Sequence, residues 1–269
     1  MARTAPRLTP AYVLHSHDWS ESSLILDLFT REQGRVVAVA KGAKRPYSQL
    51  RPVLLPFQRL LVGFGGKRGE EAEVALLRHA EWAGGPAWPG GAALLPGFYL
   101  NELLTHLLVR HEPQVLLFEA YAQTLVAMTD PALLQAALRA FELVLLRQVG
   151  HLPDLAVQTL DNQPVQDDVA YELTPDQGVM PLRGMAETGH GPVPLAGQHL
   201  LALEAALRLG VARDDGGAGM VTAHWLPELM AACLPVQSEL KAIGRQLIHY
   251  HLGTRTLRTR QLMMELQQP

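Results

Sequence analysis

Five short runs rich in Leu, Val and Ile fall within the first eighty residues, and no stretch between them is long enough for a crossover helix. They are Ala11–Ser16, Ser22–Phe29, Gly34–Lys41, Arg59–Phe64 and Glu71–Arg78, parted by turn-forming segments such as SHDWSE, TREQG and GFGGKRGE. In the second run Leu24, Leu26 and Leu28 share one face, the alternation of a half-buried strand. Strands this short and this closely spaced suggest a small barrel. An OB-fold is the natural candidate, and a five-stranded SH3-like barrel has the same signature.

The texture changes after the Gly/Pro-rich hinge WAGGPAWPGG at 82–91. Leu95, Tyr99, Leu103 and Leu107 recur every four residues, with Phe98, Leu104 and Leu108 widening the stripe, so this helix must be largely buried. A second helix is expected over Gln114–Met128. A third is expected from Asp130 as N-cap and Pro131 at the first position, with Leu134, Leu138, Phe141 and Leu145 on one face and Gly150 and Pro153 as the stop. Periodicity weakens from 156 to 195, where VAYEL and GVMPL suggest a hairpin around TPDQ. Helical pattern returns at Leu200, Leu203 and Leu207, with Glu204 and Arg208 spaced for an i,i+4 pair. ARDDGGAG is read as a flexible loop. Val236, Leu240, Ile243 and Leu247 form a last amphipathic face, with Lys241, Arg245 and His249 stacked on another. The expected class is therefore a multidomain α+β chain. A barrel would occupy 1–82, a helical bundle 83–155, a small irregular or β segment 156–195, and further helices 196–269.

Chemistry is constrained mainly by what is missing. Cys233 is the only cysteine, which rules out a disulfide framework or a four-thiolate zinc site within one chain and favours a reducing cytosol. MARTAPRLTP has no apolar core of a signal peptide, and the most apolar long segment, 91–109, is broken by Asn101, Glu102, Thr105 and His106, so a soluble protein is expected. VGFGGKRG has Leu61 where a P-loop needs its first Gly, and Arg68 where it needs Ser or Thr. No dinucleotide fingerprint or nucleophile elbow is present. His15 and His17, two apart on a strand face and followed by Asp18, resemble a fragment of a metal site, with no further ligand identifiable nearby to join the two imidazoles. Neither a catalytic residue nor a metal or cofactor is expected.

Nucleic-acid binding asks for a diffuse cationic surface instead. Residues 1–69 hold eleven Lys and Arg against four Asp and Glu, the middle of the chain to 235 is strongly acidic, and 236–269 is again basic. Arg35 and Lys41 lie at opposite ends of one face of the third strand. Lys44, Arg45 and Arg51 follow in the connection, with Tyr47 available for stacking, and Lys67 and Arg68 occupy the next turn. On the third helix Arg139 and Arg147 flank the apolar AFELVLL, as a groove for an acidic, hydrophobic peptide end would require.

Several stretches taken together resemble the bacterial RecO family of recombination mediators. They are VLHSHDWSESSLILDLFTREQGRVVAVAKGAKR, PGFYLNELL, LRAFELVLLRQVGHLPDL and YHLGTRTLRTRQLMMEL, in the family's order and spacing. The resemblance implies an N-terminal OB-fold, a central helical bundle and a C-terminal region around a small insertion. It implies a non-enzymatic, cytoplasmic and nucleoid-associated DNA-repair factor. Such a factor binds single- and double-stranded DNA, anneals complementary strands and acts with RecR to load RecA onto DNA coated by single-stranded-DNA-binding protein. It also implies docking of the acidic C-terminal tail of that coat protein, with Arg139 as a contact, and Leu143 and Arg147 are expected to line the same groove. A further basic surface of Lys241, Arg245, Arg255, Arg258 and Arg260 is expected. Many members carry four cysteines after the GYxPDL-like segment. Here GHLPDL is followed by AVQTLDNQPVQDD, so the chain resembles the zinc-free subset. Two other readings fit the residues: a general OB-fold binder of RNA or single-stranded DNA without mediator activity, and a hydrolase built around His15, His17 and Asp18.

Overall fold

The computed structural model describes residues 8–65, 73–85, 90–182, 193–211, 225–253 and 257–266. The chain forms two compact units, residues 1–118 with 257–269, and residues 119–256.

In the first unit, β1 (Thr9–Asp18), β2 (Leu24–Thr30), β3 (Gly34–Ala40), β4 (Leu60–Gly65) and β5 (Ala75–Trp82) form a closed barrel in the order β1-β2-β3-β5-β4. Antiparallel pairing of Thr9 with Val62 and Ala11 with Leu60 closes it, while β3 and β5 run parallel. This is an OB-like barrel, and its strands coincide closely with the five apolar runs. Ala11, Val13, Leu26, Leu28, Ala38, Ala40, Leu60, Val62 and Leu77 fill the interior. The expectation of a half-buried second strand needs correcting, because Asp27 and Phe29 on its outer face are buried too. Phe29 meets the ring of Phe118, and Asp27 receives the guanidinium of Arg35. Gly34 turns β2 into β3 at φ +64°, and a Cβ there would overlap the carbonyl of Glu112.

α1 (Leu94–Leu107) packs on β1. The pairing of β1 with β2 shifts register between Val13 and His15, and the buried Asn101 donates from Nδ2 to the carbonyls of Val13 (3.5 Å) and Leu14 (3.1 Å). A bulge leaves backbone groups off the ladder, and Asn101 supplies the hydrogen bonds they lose. α7 (Arg258–Glu265) also packs on α1. Its first two backbone N–H groups, from Arg258 and Thr259, donate to the Glu102 carboxylate at 2.7 and 3.0 Å. A side chain from another helix thus satisfies helix-start donors that would otherwise be orphaned, and its charge suits the positive end of the dipole.

The second unit is built around α3 (Leu134–Gln148), against which α5 (Trp225–Cys233) and α6 (Gln237–Leu252) pack; α4 (Gly197–Val211) lies on α5. α2 (Val115–Ala127) precedes α3, and its Tyr121 ring meets Phe141 edge-on. α3 begins later than expected. Asp130 accepts from the N–H of Ala132 within a turn, and helix starts only at Leu134. It ends as expected, with Gly150 at φ +76° and the N–H of His151 donating to the carbonyl of Leu146. β6 (Ala170–Thr174) and β7 (Gly178–Pro181) form the expected hairpin, and β8 (Leu195–Ala196) adds a third strand on the other side of β6. ARDDGGAG lies outside the described residues.

Candidate nucleic-acid interface

The connection from β3 to β4 is a chain of tight turns rather than a loose loop. N–H groups of Ala43, Arg45, Ser48 and Arg51 each donate to the carbonyl three residues earlier, and the first turn has Gly42 at φ +72° as its third residue. Ala43 and Leu54 anchor the segment in the barrel interior. Lys44 then fastens it to the β1–β2 turn. Its N–H donates to the Ser22 carbonyl (3.0 Å), and its Nζ donates to the Ser20 carbonyl (3.2 Å) and pairs with Asp18 (2.9 Å). The cations from Lys41 to Arg51 therefore divide by role. Lys44 is a staple; Lys41, Arg45 and Arg51 are exposed and have no ion pair among the described residues.

Tyr47 stands at the apex of this segment, 95% exposed. An open groove of about 530 Å³ runs beneath it, lined by Pro46, Tyr47, Ser48, Gln49, Arg51 and Pro52. Trp19, which the motifs did not single out, is 64% exposed in the β1–β2 turn. A signal for it exists in the sequence, a large aromatic in a turn otherwise made of Asp, Ser and Glu. The end of the barrel thus offers three exposed cations and two exposed rings, the combination that grips phosphates and stacks bases.

Other residues of the expected surface fall elsewhere. Arg35 lies on the barrel wall in a bidentate pair with Asp27, at 2.9 Å from Nε to Oδ1 and 2.6 Å between the second amino nitrogen and Oδ2, and it also donates to the Leu108 carbonyl. Its guanidinium is engaged within the protein, at the end of β3 opposite Lys41. The hairpin register explains this: Asp27 faces Val37, so Arg35 is its diagonal neighbour. Lys67, Arg68 and Arg255 lie outside the described residues. Lys241 and Arg245 are exposed on α6 in the second unit, whereas Arg258 and Arg260 are carried by α7 in the first.

The arginines of α3 are engaged within the protein. Arg139 is only 7% exposed and pairs with the buried Glu142 at 2.9 Å, and Leu143 is buried beside it. Arg147 forks onto Glu204 at 3.1 and 2.6 Å and donates to the Pro153 carbonyl. The expected pair between Glu204 and Arg208 forms at 2.9 Å, and the N–H of Leu155 donates to the same carboxylate. Burial alone would push the Glu204 carboxyl up, but these donors outweigh it and hold it below the ordinary value. A peptide carboxylate could reach Arg139 only if its pair with Glu142 opened. Nearby, burial pushes the Cys233 thiol up to about 12, so it is neutral at ordinary pH.

The rings of His15 and His17 meet at a 45° tilt, with centroids 4.1 Å apart, on the exposed end of β1. Burial, the neighbouring His17 and Arg258 together hold the His15 imidazole below its usual value, with Asp27 opposing them. Asp18, the third member of the supposed metal fragment, is taken by Lys44. No group of three or more His, Cys, Asp or Glu placed to hold a metal occurs among the described residues.

Known proteins resemble this sequence along nearly the whole chain. Residues 5–84 match the family model for the N-terminal part of recombination protein O, and residues 91–214 match that for its C-terminal part. The DNA repair protein RecO of Polaromonas naphthalenivorans is 48% identical over 260 residues, covering 96% of each chain. The RecO proteins of Polaromonas sp. and Verminephrobacter eiseniae are each 46% identical over 260 residues, covering 96% of this chain. The chain belongs to the RecO family. The RecO N-terminal match ends within two residues of the end of β5, so it corresponds to the barrel. Among the described residues no helix is long and apolar enough to cross a membrane.

Proposed function

We propose that this chain serves DNA repair and recombination as a non-enzymatic mediator that binds single- and double-stranded DNA through the end of its barrel and anneals complementary strands. The observation that carries this reading is the stapled loop on a RecO-family barrel, with Lys41, Arg45 and Arg51 exposed around Tyr47. Annealing needs no bond-making group. Cations that neutralise phosphates of two strands lower the repulsion that slows pairing, and the gain comes from counterion release. Action alongside RecR, RecA and the acidic tail of single-stranded-DNA-binding protein belongs to the same reading, as does a place at the nucleoid. Lys241, Arg245, Arg258 and Arg260 are secondary phosphate partners in it, and Arg139, Leu143 and Arg147 receive the tail only when the ion pairs around them open.

The test is binding of a short oligonucleotide as a function of salt. Replacing Lys41, Arg45 and Arg51 together by Ala should weaken single-strand and duplex binding alike, by about 10- to 100-fold at moderate salt. It should also reduce the slope of log affinity against log salt by about one for each phosphate that no longer meets a cation. The circular-dichroism spectrum should not change, because none of the three is an internal partner like Lys44. Equal affinity and equal slope in the triple variant would move the interface away from this loop.

A further inference from the structure

Exposed aromatic rings of this size have no explanation in the folding of the barrel. Trp225, in the second unit, is packed away at 1% exposure, as a ring that serves a core must be. Trp19 leaves 64% of its surface in water and Tyr47 leaves 95%. Each is carried on ordered backbone. The N–H groups of Trp19 and Ser20 both donate to the carbonyl of Ser23, closing a tight turn with Trp19 at its foot, directly after the last paired residue of β1. Tyr47 sits inside the turn that joins the carbonyl of Arg45 to the N–H of Ser48.

Lys44 brings the two together. Its Nζ bonds Asp18 and Ser20, the residues on either side of Trp19, while its own backbone lies three residues before Tyr47. The Trp-bearing turn and the Tyr-bearing loop are therefore one structured rim, with Arg45 and Arg51 on it. The groove of about 530 Å³ beside Tyr47 and Arg51 is open and larger than a single base requires. A phenol ring and a guanidinium plane are both surfaces on which proteins stack an unpaired base.

We propose that this rim recognises unpaired bases: Trp19 and Tyr47 each stack a base of a single strand whose phosphates lie on Lys41, Arg45 and Arg51. This rests on the cationic loop being the DNA interface and adds what the cations cannot supply. Charge alone does not distinguish a single strand from a duplex, whereas a ring that needs the face of a base does, because duplex bases cover one another's faces. The ligand class is single-stranded nucleic acid of any sequence, since every base has a stacking face.

Anisotropy titrations of a labelled oligonucleotide, the matching duplex and an abasic strand of equal length test the proposal at one salt concentration. Trp19→Ala and Tyr47→Ala should each weaken single-strand binding about 5- to 150-fold and leave duplex binding unchanged, with no change in salt slope. The unsubstituted protein should bind the abasic strand more weakly than the normal strand by at least the loss seen in either single variant, and this comparison of two strands on one protein does not depend on how the variants fold. Equal wild-type affinity for normal and abasic strands would overturn the proposal, as would a parallel loss on strand and duplex in the aromatic variants. Failure of the cationic-loop reading is seen separately, as retained affinity in the Lys41, Arg45 and Arg51 triple variant.

Discussion

On the rim of the barrel Arg45 and Arg51 are exposed, while on α3 Arg139 is 7% exposed and Arg147 is forked onto Glu204. In sequence the two settings look alike, each with cations next to a run of apolar residues. Their neighbours separate them. Pro46, Ser48, Gln49 and Pro52 keep the loop at the surface, whereas α5 and α6 pack on α3 and Gly244 of α6 lies close against the Glu142 carboxylate. A cation in water costs little to present to a phosphate. A cation already desolvated beside a carboxylate must first give up that partner, at a cost of several kcal/mol. Cationic residues therefore mark a binding surface only where burial and pairing leave them free.

The sharpest way to break this contrast is Arg139→Ala, which takes the guanidinium away from a carboxylate that is 3% exposed. It should destabilise the protein by about 3–5 kcal/mol in urea unfolding, and Arg139→Met with Glu142→Leu should recover most of the stability. A change below about 1 kcal/mol combined with weakened binding of an acidic peptide would place Arg139 with the rim cations instead. Next in size is Glu204→Gln, expected to cost about 1.5–3 kcal/mol because the carboxylate serves Arg147, Arg208 and the N–H of Leu155. Its folded value lies below the ordinary 4.5, so its contribution is complete above pH 4.5 and drains as pH falls through the folded value. The gap between wild type and variant should close over that range, and a constant gap would mean that packing rather than charge is removed.

The smallest effect is expected at His151 and His251, whose rings stack at 3.7 Å and 3°. Burial holds both below the ordinary 6.5, and the charge of His151 adds to the effect on His251. The unfolded chain then takes up protons first, so stability is complete above pH 6.5 and is lost as pH falls through the folded values. Unfolding midpoints of His251→Phe should fall less steeply than those of wild type as pH drops from neutral into the mildly acidic range. Parallel curves would show that the stack does not titrate with folding.

The spacing of apolar runs in the first eighty residues was enough to place all five strands, since side chains that alternate in and out fit only a sheet. The hairpin β6–β7 and the stop at Gly150 were legible for the same reason, as local turn chemistry. The two-sided burial of β2 and the return of 257–266 to the unit of the barrel were not, because each depends on a partner far away in sequence: Phe118 on Phe29, and Glu102 on Arg258 and Thr259. The candidate interface divides in the same way. That a cluster of cations follows β3 is written in the chain; which of them face solvent was decided by Asp18 and Asp27, which draw in Lys44 and Arg35 and leave Lys41, Arg45, Arg51 and the unheralded Trp19 outside. Local pattern determines which segments become strands and helices. Which charges stay free is settled only when folding chooses their partners, because the energy of a charge depends on what lies within a few ångströms of it and not on its place in the sequence.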